Sequence, residues 1–271
     1  MIGEQVFTIT DGYGMDCVSF ANNILVCGQS RKEGNIWDGR VTLVSTETSA
    51  SIHKTIAAGV GAVACSASTG KIFVGRDDGN LSIFSDSLED NSTISAHDDI
   101  ITAMSIDAFN DSQCVTVSWD GQISLIDCAS SKIDVIAAHS GIIYGVAHSV
   151  LRPGVFSTIG QDSFLRLWDN RNLHEGCTSL LPLNQTGCSC CWSSQSEYLI
   201  ACGMEDGNIH VVDTRTNSFV TSKLCHEGRI TKIVSPHNNS RAVPSDDFFI
   251  SASVDKSICS QTFDMVESHN N

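Results

Sequence analysis

Apolar residues in this chain come in short runs separated by turns that carry glycine and aspartate. The clearest stretch spans Val155 to Asp169. Val155 to Ile159 is apolar and β-branched, the composition of a buried strand. Gly160-Gln161-Asp162-Ser163 has turn chemistry, since glycine opens unusual φ and an aspartate can bond the amides ahead of it. Phe164 to Trp168 then alternates, with Phe164, Arg166 and Trp168 on one face and Leu165 and Leu167 on the other. The stretch reads as a β-hairpin closing on Trp168-Asp169. Upstream, Ala138-His139-Ser140-Gly141 leads into another strand, Ile142 to Ala147.

The hairpin recurs. Its turn aspartate has counterparts at Asp78, Asp120, Asp206 and Asp255, so successive copies lie 42, 42, 44 and 49 residues apart. The long last step coincides with the polar insert His237-Asn238-Asn239-Ser240-Arg241, which reads as a loop. A histidine-bearing turn, a strand, a hairpin with aspartate at its tip and a terminal Trp-Asp, repeated at this period, resemble WD40 repeats. That resemblance implies an all-β propeller of four-stranded blades. Six blades are legible, in a single domain covering residues 1–271. Val6 to Thr10 is a lone strand and the last repeat lacks a fourth, so the N-terminal strand is expected to close the ring. In the first blade, Gln29 to Arg40 reads as a long polar loop bearing Trp37, which either folds back on the blade edge or projects as an aromatic anchor, followed by a strand from Val41 to Ser45. Asn170 to Gly176 reads as a loop leaving the fourth blade.

Composition narrows the function. The 271 residues carry 16 Lys and Arg against 31 Asp and Glu, a net charge of −15. Such a surface repels phosphate backbones and favours basic partners, so no nucleic acid is expected. No apolar run approaches a membrane span. Met1-Ile2-Gly3-Glu4-Gln5 lacks the basic and apolar regions of a signal peptide, so the twelve cysteines are expected as reduced thiols. Cys188, Cys190 and Cys191 sit too close along one strand to chelate as a set, and read as small buried residues rather than a metal site.

His139, Thr158, Asp162 and Trp168 occupy the offsets at which WD40 blades build a hydrogen-bonded chain. A hydroxyl, a histidine and an aspartate also suggest a hydrolase. Against that, the set recurs as His97, Thr116 and Asp120, and as His226, Ser251 and Asp255. Catalytic groups occur once, whereas braces recur with each blade. Phe84, Ile126, Val212 and Gln261 stand where Trp168 stands, and Val74 and Cys202 replace the hydroxyl, so most blades diverge. Neither a G-x-G-x-x-G, a Walker nor an H-E-x-x-H motif occurs. No catalytic residue, cofactor or metal is expected, and the chain does not read as an enzyme.

Four segments carry a finer resemblance: Gly34-Asn35-Ile36-Trp37-Asp38-Gly39-Arg40-Val41, His97-Asp98-Asp99-Ile100, Leu165 to Arg171, and Gly207 to Thr214. In order, over roughly residues 20 to 260, they look like the WD-repeat subunits of methylosomes, the complexes of a protein arginine methyltransferase. Members of that family have seven blades. The resemblance implies a non-catalytic adaptor in a hetero-oligomer, found in cytoplasm and nucleus. It would dock on the methyltransferase through Trp37, with Ile36 and Arg40 beside it. It would help present basic, Arg-rich substrates such as histone tails and Sm proteins. Rival readings of the same ring are a ubiquitin-ligase substrate receptor, another histone-binding or trafficking scaffold, and a propeller enzyme.

Overall fold

A computed structural model describes residues 13–21, 23–33, 36–48, 50–66, 69–89, 91–235 and 247–263. The strands form six antiparallel sheets, and within each sheet spatial order follows chain order. The first blade holds β1 (Gly14–Ala21), β2 (Ile24–Glu33), β3 (Ile36–Ser45) and β4 (Ser51–Ile56). The second holds β5 (Val60–Cys65), β6 (Ile72–Arg76), β7 (Asn80–Phe84) and β8 (Asn91–Ser95). In the third are β9 (Ile101–Asp107), β10 (Asn110–Ser118), β11 (Gln122–Asp127) and β12 (Lys132–Ala137). The fourth follows with β13 (Ile143–His148), β14 (Val155–Gly160), β15 (Phe164–Asp169) and β16 (Ser179–Pro182). The fifth has β17 (Gly187–Trp192), β18 (Leu199–Met204), β19 (Asn208–Asp213) and β20 (Ser218–Leu224). In the sixth, the described strands are β21 (Ile230–Val234), β22 (Phe248–Ser253) and β23 (Ile258–Thr262). The strand expected at Val6 to Thr10 and the insert at 237–241 lie outside the described residues.

The first strand of each blade is the innermost, and blades stack through apolar clusters. Val26 and Leu43 meet Val63 and Phe84 between the first two blades. Phe73 and Leu81 meet Ile101 and Ile126 at the next seam, and Val117 and Ile123 meet Phe156 and Trp168 at the third. Leu165 meets Trp192, and Val211 meets Phe249. Burial on both faces explains why the central strands read as nearly continuous apolar runs.

Two expectations change. Asn170 to Glu175 is a short 3-10 helix rather than an irregular loop, with the Asp169 carboxylate accepting the Arg171 amide. The first-blade loop is in fact strand: β2 and β3 pair without a break from Ile24↔Ser45 to Glu33↔Ile36. Its polar side chains satisfy one another across the hairpin. Arg31 donates to Asp38 at 3.0 Å, and the Tyr13 hydroxyl donates to Asp38 at 2.7 Å. A reading keyed to apolar alternation misses a strand stabilised by cross-strand polar pairs. The rungs Arg31↔Asp38, Lys32↔Trp37 and Glu33↔Ile36 lie past Gly39, where pairing with β4 ends. At ~3.3 Å per residue they extend the hairpin by ~10 Å.

All five turn aspartates do the same local work. Each accepts the backbone amide two residues ahead: Asn80 onto Asp78, Gln122 onto Asp120, Phe164 onto Asp162, Asn208 onto Asp206 and Ser257 onto Asp255, at 2.8–3.3 Å. The residue after the aspartate takes positive φ, and it is Gly79, Gly121 and Gly207 in three blades but Ser163 and Lys256 in the others. At Gly79 a Cβ would lie 2.1 Å from the His97 carbonyl oxygen, whereas at Gly70, also at positive φ, the nearest atom is 4.0 Å away. Gly79→Ala should therefore destabilise the fold well beyond the ~1 kcal/mol set by the left-handed backbone alone, and clearly more than Gly70→Ala. Urea denaturation of the two variants checks this; equal losses would mean the close approach carries no weight.

Candidate functional site

The residues expected to brace the fourth blade come together between β14, β15 and the turn that precedes β13. The Trp168 Nε1–H donates to Thr158 Oγ1 at 2.8 Å. His139 Nε2 lies 2.8 Å from the same hydroxyl, and His139 Nδ1 lies 2.8 Å from Asp162 Oδ1. The indole is a donor only, so the Thr158 oxygen accepts from it. In the tautomer protonated on Nδ1, Thr158 donates its hydroxyl to Nε2 and the ring donates to the carboxylate, while Arg166 Nη1 also lies against Nδ1. Asp162 also accepts the Ser140 amide at 3.2 Å and Arg166 Nη1 at 2.7 Å.

Burial pushes His139 down to about 4 against the pull of Asp162, and Arg166 adds to the fall. Burial would raise Asp162, but its bonds from His139, Arg166 and the Ser140 amide outweigh that and hold it below the usual carboxylate range. The pair is thus a neutral imidazole facing a carboxylate. In the third blade His97 lies 3.0 Å from Asp120 Oδ2 and 2.9 Å from Thr116 Oγ1, and burial outweighs Asp120 in lowering it. In the sixth, His226 meets Ser251 and Ser257, each at 2.7 Å, with Asp255 at 3.3 Å.

Strand register places the substitutions consistently. Trp168 pairs with Phe156, two residues before Thr158. Likewise Ile126 pairs with Cys114 ahead of Thr116, and Gln261 with Phe249 ahead of Ser251. Val212 pairs with Ile200 ahead of Cys202, and Phe84 with Ile72 ahead of Val74. Thr116, Thr158 and Ser251 are fully buried, so none is placed to attack a substrate. Cys188, Cys190 and Cys191 are buried too, and burial pushes the Cys190 thiol up to about 11. No cluster of metal-binding side chains occurs among the described residues.

The surface around these braces carries exposed acidic and aromatic side chains. His turns and Asp turns bond one another, so they share one end of the ring. That end exposes Asp78, Asp98, Asp99, Glu205, Asp206 and Glu227. Arg76 pairs with Asp78, while the other five form no ion pair among the described residues. In the same ring of turns Trp119 is 46% exposed. The sequence reading passed over Trp119, although a signal was there. It immediately precedes its turn aspartate, a place held elsewhere by Asp77, Gln161, Glu205 and Val254, and an indole has no packing reason to stand in a tight turn. Arg166 was likewise missed as a brace, though it shares a face with Trp168.

The β2–β3 hairpin carries Ile36 and Trp37 in its outermost rungs. Arg40 is set differently. It is 7% exposed, with its guanidinium 4.1 Å from the Tyr13 ring centre. A residue so enclosed steadies the base of the hairpin and offers little surface to a partner.

The brace makes two predictions. Asp162→Ala should cost about 1–3 kcal/mol, because it leaves several buried donors unsatisfied; an unchanged thermal melt would contradict that. The unfolded chain holds His139 near the ordinary value of about 6.5, so between there and about 4 it binds more protons than the native state. Stability should therefore be level above that window and fall as pH drops through it, by up to about 1.4 kcal/mol per pH unit for each such histidine. Asp162 adds to the loss only at lower pH. Urea midpoints at pH 7.5, 6 and 5 test this; equal midpoints would contradict it.

Comparison with known proteins agrees with this geometry. A family model for the WD domain, G-beta repeat, matches residues 89–127 and 177–213. Methylosome protein WDR77 of Xenopus laevis is 26% identical over 152 residues, 53% of this chain and 44% of that protein. Protein GFS12 of Arabidopsis thaliana is 29% identical over 121 residues, 43% of this chain and 7% of that protein. A Ribosome biogenesis protein WDR12 homolog from Anopheles gambiae is 26% identical over 141 residues, 51% of this chain and 32% of that protein. The aligned parts thus span less than half the length of each relative. The crystal structure of the WD40 β-propeller domain of Doa1 superposes with a TM-score of 0.73 at 15% identity, covering 92% of this chain and 79% of that one. Sheet order and blade packing together make this chain an all-β, six-bladed β-propeller, with WD40 repeats matched at residues 89–127 and 177–213.

Proposed function

We propose that this propeller is a non-catalytic adaptor that docks on a protein arginine methyltransferase and holds Arg-rich segments of its substrates. The observation that supports this reading is the turn end of the ring. Five carboxylates without ion pairs among the described residues stand there with one exposed indole. Carboxylates attract guanidinium groups and pair with them through two hydrogen bonds, and an indole face binds the same cation by its quadrupole. A net charge of −15 extends that attraction beyond contact distance. Histone tails and Sm proteins, the substrates implied by the sequence resemblance, have the matching basic character. The similarity to Methylosome protein WDR77 agrees with the methyltransferase as the enzyme served.

The β2–β3 hairpin is the proposed contact with the enzyme. It extends beyond the rungs shared with β4 and carries Ile36 and Trp37. Aromatic residues dominate binding hot spots, because they remove a large apolar area from water.

Binding measured with purified methyltransferase tests the docking arm. Trp37→Ala should weaken the complex by about 2–4 kcal/mol, roughly thirty- to thousand-fold, with the melt of the free chain nearly unchanged. A lowered melt with undiminished binding would assign Trp37 to the blade instead. A histone-tail peptide tests the substrate arm. Its affinity should fall as salt rises, because screening shortens the field to about 8 Å at physiological strength, and Trp119→Ala should weaken it further. Salt-independent binding, or none at low salt, would remove Arg-rich segments from the reading.

A further inference from the structure

Two half-buried thiols meet at the seam between the fifth and sixth blades. Cys225 follows β20 and precedes His226, while Cys259 stands near the start of β23. The repeat fixes how they lie. In the third blade Ala96 precedes His97, Thr116 pairs with Ser124, and Ser124 Oγ donates to the Ala96 carbonyl at 2.7 Å. The sixth blade has the same frame. Cys225 precedes His226, Ser251 pairs with Cys259, and His226 Nε2 lies 2.7 Å from Ser251 Oγ, as His97 Nε2 lies 2.9 Å from Thr116 Oγ1. The side chain of Cys259 therefore reaches Cys225 as that of Ser124 reaches Ala96, and the Cys225 thiol donates to the Cys259 sulfur. Gln261 Nε2 donates to the same sulfur at 3.0 Å and holds it in place, and Lys223 bonds Gln261 across the seam at 3.2 Å.

Exposure singles out this pair. Cys190 and Cys202 also face each other, across β17 and β18, but both are buried beyond the reach of a dissolved oxidant. The chain neighbours Leu224 and Ile258 are 65% and 76% exposed, so Cys225 and Cys259 lie just beneath the surface. Burial raises the Cys225 thiol, Cys259 adds to the rise, and the Lys223 charge opposes it. Its thiolate is a minority at neutral pH, which makes thiol–disulfide exchange slow rather than absent.

We propose that Cys225 and Cys259 are a modification site that closes to a reversible disulfide, with a small soluble disulfide such as glutathione disulfide as oxidant. The thiolate of one cysteine attacks a sulfur of glutathione disulfide, whose S–S bond breaks and releases one glutathione. The thiolate of the second cysteine attacks the protein sulfur of that mixed disulfide and expels the other glutathione. Two protein thiols are oxidised by two electrons, one glutathione disulfide is reduced, and the two protons leave on the glutathione thiols. Thiols in hydrogen-bond contact can reach bonding distance by side-chain rotation. The bond ties the turn after β20 to β23, beside the His226 brace. By closing the loop from Cys225 to Cys259 it also restricts the unfolded chain, which stabilises the fold. This site does not depend on the adaptor reading.

The full chain, equilibrated at rising ratios of glutathione disulfide to glutathione, trapped by alkylation and digested without reduction, tests this by mass spectrometry. Trypsin cuts after Lys223, Arg229 and Lys256, so each cysteine sits alone in its peptide. The expected product is that peptide pair joined through Cys225 and Cys259, and lost on treatment with dithiothreitol. Oxidation should raise the melting temperature by several degrees, and reduction should restore it. Cys225→Ser and Cys259→Ser should each abolish the shift, whereas Cys128→Ser, at a half-buried cysteine elsewhere, should keep it. Peptide mapping of the parent chain decides the matter even where a variant melts low. Glutathione attached singly with no joined pair, joining dominated by other cysteines, an unchanged melt on oxidation, or a shift that survives Cys225→Ser would each overturn the proposal.

Discussion

The structure depends on one kind of contact: a histidine that belongs to two blades at once. The His139 amide donates to the Gly121 carbonyl in the third blade's turn at 3.0 Å, while its ring bonds Thr158 and Asp162 in the fourth. His97 does the same between the second and third blades, from Gly79 to Asp120. His226 joins the fifth to the sixth, from Gly207 to Ser251 and Ser257. Apolar clusters give the blades cohesion but little direction. The histidines add direction, because a buried network with every member satisfied admits one relative placement of the two sheets.

Where histidine is missing, other groups span the seam. Ser30 Oγ accepts the Val60 amide between the first two blades at 2.9 Å. Trp192 reaches from the fifth blade to the Ala147 carbonyl of the fourth at 3.0 Å. With the ring fixed from inside, the turn residues beside each brace are released from structural duty. Asp98 and Asp99 follow His97, Glu227 follows His226, and Trp119 adjoins Asp120. The same turns therefore hold both buried braces and an exposed acidic, aromatic surface. That arrangement suits an adaptor, which needs a rigid platform with variable side chains.

Much of this was legible in the chain because the repeat is a physical one. Each turn needs an aspartate to cap it and a residue that tolerates positive φ, so Asp78, Asp120, Asp162, Asp206 and Asp255 mark every hairpin after the first. The first hairpin was hidden, since Arg31 and Asp38 stabilise it by charge rather than by apolar alternation. Arg40 reads as a surface cation in sequence, and only the Tyr13 ring above it reveals that it is enclosed. The meeting of Cys225 and Cys259 could not be read at all. They lie on different blades, and only the register of β22 against β23 shows that Cys259 reaches the residue before His226.

The shared histidine is open to a direct measurement. Amide hydrogen exchange on His139→Ala, compared with the parent chain, reports which turns lose protection. The straddling contact predicts faster exchange on both sides of one seam, at Ser118 to Gln122 in the third blade and Gly160 to Phe164 in the fourth, with the first and second blades unchanged. Loss confined to the fourth blade, or spread evenly around the ring, would contradict it.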